Sequence, residues 1–368
     1  MYIILSITAA IVLSGIVIFM NQPNFGRKPR GERLERVKKS SNYKDGAFRN
    51  LQETPQLTSG KNYVLTFIEI MFRKKERLRP ESALPSVKTD LWQLDRNEEV
   101  LIWFGHSSYF IQTNGIRILV DPVLCGAASP FSFFNKPFEG SDGYKPEDIP
   151  DIDYLIISHD HWDHLDYKTV TALKPRIKKV VCPLGVGEHF EHWGFDKNTL
   201  VEMDWNEQTA LNNESTLYCL PARHFSGRGL PPNQTLWASF LVQTPTKKIF
   251  LSGDGGYGTH FADIGRQFGE IDLAVLENGQ YDNSWRHIHL LPSELLKTAT
   301  DLNAKSLLTV HHSKFAMANH PWDEPLVNIS ELAEKTPLPI FIPTIGEPVK
   351  LECHTPALNN KQRENTDK

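Results

Sequence analysis

The sequence predicts an α+β fold in which two β-sheets pack face to face, helices cover their outer surfaces, and an apolar helix precedes them. Short apolar runs that indicate strands come in two blocks along the 368 residues, and helical segments follow each block. Metal-binding side chains recur directly after these runs. Such a sandwich would bring the strand ends, and the side chains that follow them, to one edge of the molecule.

The chain begins with an apolar stretch, residues 1–22, that predicts a membrane anchor. Ile3 to Met20 carries no charge over eighteen residues. As a helix it would extend roughly 27 Å, close to the hydrocarbon thickness of a bilayer. A cleaved signal peptide, with a secreted or periplasmic protein, is the alternative. No positive charge precedes the run and no small-x-small cleavage site follows it, so we expect an uncleaved anchor.

A basic segment with a short helix is expected over residues 23–83. Residues 21–80 hold 15 Lys and Arg against 6 Asp and Glu, although the whole chain has a net charge of −4. This excess predicts contact with anionic headgroups and places the body on the cytoplasmic side by the positive-inside rule. A solvated linker is the alternative. Tyr63 to Phe72 predicts a helix that packs on the body or rests on the membrane.

The globular domain is expected over residues 84–350, with a polar tail at 351–368. Its first strands predict a meander: Val100 to Phe104, Tyr109 to Gln112 and Ile116 to Val120. Asn114-Gly115, between the last two, is a strong hairpin signal. His106 precedes the second strand and is expected to be a hydrogen-bonded turn histidine, with a metal-binding role as the alternative. Helix Val186 to Trp193 is expected to carry its histidines, His189 and His192, on the surface.

The loop from Ser129 to Tyr144 contains four phenylalanines among Gly, Pro and Ser: Phe131, Phe133, Phe134 and Phe138. Large apolar side chains in a loop need burial or an apolar ligand. We expect them to pack beneath the loop, and a lip for acyl chains is the alternative.

The stretch Ser158 to Asp166, SHDHWDHLD, follows the apolar run Tyr154 to Ile157 and predicts a metal site. Imidazole and carboxylate are good ligands for zinc and iron. In the pattern His159-x-His161-x-Asp163-His164, the first two side chains point the same way from an extended segment. The last two lie where the chain turns into a helix, and can face a second ion. Four ligands on one turn suit two ions better than one.

Further ligands are expected at the ends of other strands. His224 follows the strand Leu217 to Pro221, Asp254 follows Ile249 to Ser252, and His311 follows Leu307 to Val310. Together with the four ligands of the first turn they form a set of seven, in which Asp254 could bridge both ions.

Composition excludes some classes of site and partner. The four cysteines are far apart and show no Cys-x-x-Cys pair: Cys125, Cys182, Cys219 and Cys353. Neither a thiolate zinc site nor a disulfide framework is indicated. Residues 81–368 carry a net charge of −13, so no nucleic-acid partner is expected. The oligomeric state is not indicated.

These motifs resemble the metallo-β-lactamase fold, a four-layered αβ/βα sandwich that binds two zinc ions. More narrowly, the chain resembles the N-acyl-phosphatidylethanolamine-hydrolysing phospholipase D family over about residues 84–343. The likeness is carried by several stretches: LPSVKTD at 84–90, WFGHSSYFIQ at 103–112, DPVL at 121–124, PARHFSGRGL at 221–230, LWASFLV at 236–242 and FLSGDGGYGTHFADIGRQFGEIDLA at 250–274.

The resemblance implies a ligand set for two Zn²⁺ ions. One would be bound by His159, His161 and His224; the other by Asp163, His164 and His311; Asp254 would bridge them. His312 adjoins His311, and the phasing of VHHSKFAM favours the first of the pair.

His289 corresponds to a family histidine near the scissile phosphate, and a helix-capping role for it is the alternative. The stretch from Glu277 to Tyr281 is less apolar than its counterpart in the family, which puts the polar contacts of the substrate in doubt.

The resemblance also implies a reaction. Two zinc ions would generate hydroxide from water and neutralise charge on a phosphodiester, with Asp163, Asp254 and His289 as catalytic groups. The bond cleaved would release phosphatidic acid and an N-acylethanolamine from a phospholipid in the membrane. Two alternatives stay open: a metal-dependent lactonase or small phosphoester hydrolase on the same fold, and a non-enzymatic, membrane-anchored binding protein.

Overall fold

The computed structural model describes residues 2–58, 60, 65, 68, 72 and 76–351. The helix expected at Tyr63 to Phe72 and the tail expected at 351–368 lie largely outside these residues. The N-terminal part contains two helices and a short hairpin: α1 (Tyr2–Met20), α2 (Gly31–Lys39), β1 (Tyr43–Lys44) and β2 (Ala47–Phe48).

Two seven-stranded mixed sheets form the body. In the first sheet the spatial order is β16-β3-β4-β5-β6-β7-β8. Its strands are β3 (Val100–Trp103), β4 (Tyr109–Thr113), β5 (Ile116–Val120), β6 (Ile152–Ile156), β7 (Ile177–Pro183), β8 (Leu200–Met203) and β16 (Pro348–Lys350). The meander β3-β4-β5 is antiparallel, as predicted, and β5 to β8 run parallel.

The second sheet repeats this plan, with the order β15-β14-β13-β12-β11-β10-β9. Its strands are β9 (Gln208–Ala210), β10 (Thr216–Leu220), β11 (Ser239–Gln243), β12 (Lys248–Leu251), β13 (Leu273–Glu277), β14 (Leu307–Val310) and β15 (Ile340–Phe341). Strands β9 to β12 are antiparallel, and β12 to β15 are parallel.

Helices cover the outer faces, as expected. They are α3 (Tyr167–Leu173), α4 (Gly187–His192), α5 (His260–Phe268), α6 (Leu295–Asp301) and α7 (Glu324–Lys335). One apolar core lies between the sheets and contains side chains from both, such as Trp103 and Phe240. Two further cores lie outside the sheets, beneath α3 and α4 on one side and beneath α5 and α6 on the other. The predicted sandwich is confirmed.

The apolar stretch forms the helix α1, and many of its large side chains are exposed, including Leu5, Ile11 and Ile18. Within the described residues, however, no helix has both the length and the apolarity needed to cross a bilayer. The prediction of a membrane-spanning anchor is therefore not supported.

The basic segment packs on the body. Arg33 donates to Glu188, Glu191 and Glu202 at 2.7, 3.0 and 2.6 Å, and its side chain is only 13% exposed. Arg30 and Arg36 also pair with carboxylates of the body, Glu188 and Glu207. These charges are neutralised by protein carboxylates, so the predicted contact of the segment with anionic headgroups is not shown.

Candidate metal centre

The loop that follows β6 is held in a fixed shape by its own backbone and by the end of β5. Ser158 donates its backbone N–H to Asp121 Oδ1 at 2.8 Å. The backbone N–H groups of His164 and Leu165 both donate to the carbonyl of His161, which closes the turn. Asp166 then caps α3 by accepting from the backbone of residues 168 and 169. The histidines of this loop therefore project from a turn whose backbone conformation is fixed by hydrogen bonds.

Three histidines converge on one point of this loop. The ring nitrogens of His159, His161 and His224 lie within 4.8 Å of one another. His159 Nε2 is 2.9 Å from His161 Nδ1, and His224 Nε2 is 3.2 Å from the same atom. His224 reaches this point from the segment after β10, as predicted. We call these residues the three-histidine group.

A second group lies beside the first and includes carboxylate. Ligand atoms of Asp163, His164 and His311 lie within 4.8 Å of one another and of His106. His106 Nε2 is 2.8 Å from Asp163 Oδ2. His311 arrives from the end of β14. We call Asp163, His164 and His311 the mixed group, with His106 as its neighbour.

Asp254, after β12, lies between the two groups. Its Oδ2 is 3.1 Å from His164 Nε2 and 4.0 Å from His159 Nε2, and its Oδ1 is 3.2 Å from His311 Nδ1. The structure thus brings together all seven side chains that the sequence proposed. Their cluster of histidine and aspartate side chains is able to bind metal, while the assignment of individual ligands stays a prediction.

Hydrogen bonds from behind fix the orientation of several rings. His159 Nδ1 contacts Ser158 Oγ at 2.9 Å, His164 Nδ1 contacts Asp121 Oδ2 at 2.8 Å, and His224 Nδ1 donates to the Ile288 carbonyl at 2.7 Å. In each case Nε2 is left to face the cluster. Such outer partners orient metal-binding histidines and set their tautomers.

Burial keeps most of these imidazoles neutral. It lowers the pKa of His159, His224 and His311 well below the usual value, and lowers the pKa of His161 to about 4. Neutral imidazole is the form that binds a cation. The protonation states therefore fit a metal site at neutral pH.

His164 has the opposite shift. Burial alone would lower its pKa, but the carboxylates of Asp254, Asp163 and Asp121 raise the pKa well above the usual value. His164 Nε2 and Asp254 Oδ1 are also buried without a hydrogen-bond partner. Burying carboxylates and polar atoms without partners is unfavourable unless a positive charge lies beside them. A divalent ion would supply that charge. The donor set therefore fits the metal that the sequence predicts.

His289 lies at the edge of the cluster. Its Nδ1 hydrogen-bonds to the buried Glu277 carboxyl group at 2.6 Å, and is 4.0 Å from Asp254 Oδ2. Glu277 in turn accepts from the backbone N–H groups of Gly255 and Leu290. His289 thus lies beside the cluster, and its ring is held by a residue in the stretch where the sequence departs from the family pattern.

His312 lies outside the cluster. Its ring packs 4.8 Å from that of Trp103, and its Nδ1 bonds to Ser313 Oγ at 2.8 Å. Burial lowers the pKa of His312 to about 3. Between the two adjacent histidines, His311 is therefore the one that faces the other ligands.

Comparison with known proteins identifies the family. The model of a β-lactamase superfamily domain matches residues 116–312, more than half of the chain. The chain belongs to the β-lactamase superfamily. It is a metal-dependent hydrolase of the metallo-β-lactamase fold, and the resemblance to the N-acyl-phosphatidylethanolamine-hydrolysing phospholipases D is confirmed by the relatives described next.

An uncharacterized protein of Mycobacterium tuberculosis is 35% identical to this hydrolase over 314 residues, 84% of each chain. N-acyl-phosphatidylethanolamine-hydrolyzing phospholipase D 1 of Caenorhabditis elegans is 32% identical over 246 residues, 63% of this chain and 69% of the worm protein. Among solved structures, a metallo hydrolase of Ignicoccus hospitalis superposes with a TM-score of 0.54 at 17% identity, over 70% of this chain and 100% of that one. The last comparison supports the fold alone.

Sequence reasoning identified few of the supporting residues. His106 was expected to be a hydrogen-bonded turn histidine, with a metal-binding role as the alternative; it lies in the turn between β3 and β4 with a φ of 53° and bonds to Asp163. Asp121 was recognised only as the end of the meander, and Glu277 only as a departure from the family. Their common signal is a polar residue directly after, or at the end of, a buried strand, which is the same signal that identified the ligands.

Proposed function

We propose that this hydrolase cleaves the phosphodiester bond of N-acyl-phosphatidylethanolamine, releasing phosphatidic acid and an N-acylethanolamine, with two Zn²⁺ ions bound by the seven predicted ligands. The observation that carries the proposal is the relationship to the Caenorhabditis elegans phospholipase D over most of that protein's length. A yeast mitochondrial phospholipase D of the same description is 31% identical over 242 residues.

An aromatic surface beside the cluster supports a lipid substrate. Phe133 and Phe134 are 68% and 56% exposed, and Phe138 alone of the four loop phenylalanines is buried. Phe131 stacks on Phe19 of α1 at 4.7 Å. Phe19 contacts Phe25, and Phe25 contacts Trp162, which lies between His161 and Asp163. This chain of aromatic rings, the aromatic path, connects an exposed apolar surface to the metal loop.

A cavity of about 510 Å³ lies at the Trp162 end of the aromatic path. Its walls include Cys125, Pro130, Trp162, Tyr167 and Lys168. Clefts of roughly 300–1,000 Å³ with apolar walls and a few polar groups are typical ligand sites. The cavity is therefore a candidate position for part of an acyl chain or headgroup.

The bound ions and the side chains of the site would have the following roles in phosphodiester cleavage. Two divalent ions, when bound, supply Lewis acidity and lower the pKa of water. Asp254 and Asp163 would orient the attacking oxygen from either side of the cluster. His289, whose ring Glu277 holds beside Asp254, would donate a hydrogen bond to the phosphate or a proton to the leaving oxygen.

Contact with a membrane belongs to the same proposal. The exposed apolar side chains of α1 and of the phenylalanine loop would meet the lipid surface that contains the substrate. Arg30, Arg33 and Arg36 of the basic segment are paired with glutamates, so this contact would depend on apolar area more than on these charges. Placement of the body on the cytoplasmic side stays a prediction.

The test is turnover of N-acyl-phosphatidylethanolamine in mixed micelles by the purified full chain, measured beside phosphatidylcholine, a soluble phosphodiester and an acyl lactone. We expect selective release of N-acylethanolamine that is lost on chelation and restored by Zn²⁺. His161→Ala should abolish turnover, whereas His192→Ala, a histidine on α4 outside the cluster, should leave it unchanged. Turnover of only the lactone or the soluble ester would retain the metal site and overturn the lipid assignment.

A second experiment isolates the apolar surface. Phe133→Ser with Phe134→Ser should raise KM for micellar lipid and leave kcat/KM for a soluble phosphodiester unchanged, because both rings are exposed and distant from the ligands in sequence. An equal loss on both substrates would show that the loop does not serve the lipid.

A further inference from the structure

Residues 23–54, which we call the strap, run along the metal-binding edge of the body and lie outside the residues matched by the family model. They contain the 3₁₀ turn Pro23–Phe25, α2 and the β1-β2 hairpin. Three sets of hydrogen bonds connect the strap to the loops that carry ligands. Two of them reach the loop after β6, which carries ligands of both groups, and the third reaches His224 directly.

The first connection passes through His189 to Asp160, the residue between His159 and His161. The backbone N–H of Arg27 donates to His189 Nδ1 at 3.0 Å, so His189 Nε2–H donates to Asp160 Oδ2 at 3.1 Å. Asp160 also accepts from the Gly227 N–H at 2.7 Å. These two hydrogen bonds hold the Asp160 carboxylate in place within the ligand turn.

The second connection passes through Arg228. Its guanidinium donates to the Asn24 carbonyl from Nε and Nη2, at 3.0 and 2.7 Å. From Nη1 it donates to the carbonyls of Asp160 and Leu165, at 2.9 and 2.6 Å. Arg228 is 5% exposed and lies 4.0 Å from the ring centre of Trp162. One buried side chain therefore joins the strap backbone to both ends of the turn that carries His161.

The third connection is direct. Asn50 donates from Nδ2 to the His224 carbonyl at 2.7 Å and accepts the His224 backbone N–H on Oδ1 at 3.1 Å. Trp237 Nε1–H donates to the same oxygen at 3.1 Å. The Asn50 amide thus pairs with both the backbone N–H and the backbone carbonyl of His224. These two bonds fix the backbone orientation of this predicted ligand.

The mixed group has a different support. Asp163 is held by His106, and His311 bonds through Nδ1 to Ser107 Oγ at 2.9 Å and through its backbone N–H to the His106 carbonyl at 3.0 Å. These partners belong to the turn between β3 and β4. Residues 23–54, all of which the structure describes, make no direct hydrogen bond to Asp163, His164 or His311.

We infer that Asn50 of the strap is the positioning residue for His224, so that this contact of the strap sets the affinity of the three-histidine group for its ion. This inference rests on the two-ion centre of the proposed function. Loss of a hydrogen-bonded partner behind a ligand typically weakens metal binding by about 10- to 100-fold.

The test compares Asn50→Ala with Asn42→Ala in the full chain. Asn42 is on the same strap, is also half-buried, and donates to Asp204 Oδ1 at 3.2 Å, away from the ligand loops. Zn²⁺ affinities are measured by competition with a chromophoric chelator. We expect two ions in the wild type, and in Asn50→Ala a 10- to 100-fold weakening of one of them. Asn42→Ala should bind both as the wild type does.

Double variants identify the ion concerned. In a His311→Ala background, Asn50→Ala should weaken the remaining ion by the same factor. In a His224→Ala background, Asn50→Ala should have no effect on the remaining ion, since the affected site is already lost. The reverse pattern would overturn the assignment of the strap to the three-histidine group.

A second pair of variants tests the connection through His189. Gly26 has φ +67°, and a Cβ there would lie 2.0 Å from His189 Nδ1. Gly31 has φ +54° on the same strap, and a Cβ there would meet nothing within 4 Å. Both Gly→Ala changes impose similar backbone strain, but only Gly26→Ala displaces His189. We expect weakened Zn²⁺ binding in Gly26→Ala relative to Gly31→Ala, at equal far-ultraviolet circular dichroism.

The outcomes separate the two proposals. Two ions in the wild type with equal affinities in Asn50→Ala and Asn42→Ala would overturn the inference about the strap and leave the two-ion centre intact. A single ion in the wild type would overturn the two-ion centre and the inference with it. Turnover of lipid is not required for either measurement.

Discussion

The two halves of the metal centre obtain similar ligands from similar strand ends but are supported by different parts of the chain. The three-histidine group is held by the strap, through partners that precede it by more than 130 residues, as Asn50 and His224 show. The mixed group is held by the β3-β4 turn of the same sheet, through His106 and Ser107. Both supports lie outside residues 116–312, the part that matches the family model and contains all seven ligands.

This difference shows that the metal site consists of more than its seven ligands, because it also needs the residues that orient them. The ligands and some of their hydrogen-bond partners lie within the family domain, whereas other partners, such as Asn50 and His106, come from N-terminal segments outside it. Each group nevertheless has a partner of its own, Asn50 behind His224 and His106 behind Asp163, so the affinity for each ion can be changed through that partner. The following predictions test this separation.

The largest loss of turnover is expected for a change at Asp254, which lies between the two groups. Asp254→Asn removes the charge that both groups share, and should lower phosphodiesterase turnover by more than about 100-fold, beyond the usual cost of losing an outer partner. Zn²⁺ content measured by atomic absorption should fall with it. Retention of both ions with normal turnover would show that Asp254 does not join the two halves.

His311→Ala should affect the mixed group alone. We expect loss of one ion and a decrease in turnover of more than about 100-fold, because a ligand is removed. His312→Ala should change turnover by less than about tenfold, since His312 bonds to Ser313 and packs on Trp103 away from the cluster. Equal losses from the two variants would contradict the choice of His311.

His106→Gln should produce the counterpart of the Asn50→Ala result. Loss of its 2.8 Å contact with Asp163 should weaken the ion of the mixed group by about 10- to 100-fold and leave the other ion unchanged. The measurement is the same chelator competition, with His260→Gln, a buried histidine away from the cluster, as control. Weaker binding of both ions in His106→Gln would show that the two groups are not supported independently.

The smallest effect is in the pH dependence. His164 has a raised pKa, so an ion that binds the mixed group must displace a proton, and its affinity should rise about tenfold per pH unit near neutrality. The pKa of His161 is lowered to about 4, so the three-histidine group itself should add little pH dependence from pH 6 to 8, whereas Asp254, whose pKa burial raises to about 7, should affect both ions alike. Chelator competition at pH 6, 7 and 8 distinguishes these behaviours. Parallel pH profiles for both ions would contradict the assigned protonation states.

The sequence predicted the sandwich and the cluster because both depend on local patterns. Strand runs alternate with turn signals, and the Asn114-Gly115 hairpin forms at the predicted position, between β4 and β5. His224, Asp254 and His311 were found by one rule, that a ligand-type residue follows a buried strand. The rule works because the ends of these strands meet at one edge of the two sheets.

The supports could not be predicted because they depend on pairings between distant segments. His189 was expected on the surface of a helix, but it is 3% exposed between Arg27 and Asp160. Arg33 of α2 was expected at headgroups, and instead it pairs with Glu188 and Glu202, more than 150 residues away. A charge pattern on one segment does not reveal whether its partner is lipid, solvent or a carboxylate of the same chain.

The stacking of Phe19 on Phe131 has a practical consequence for handling the protein. The apolar surface is built from two pieces, α1 and the phenylalanine loop, and each covers part of the other. Removing α1 to improve solubility would uncover the face of Phe131 that Phe19 now shields, next to the exposed rings of Phe133 and Phe134. We therefore expect the shortened protein to self-associate more readily in water, and detergent to be needed even when the N-terminal helix is absent.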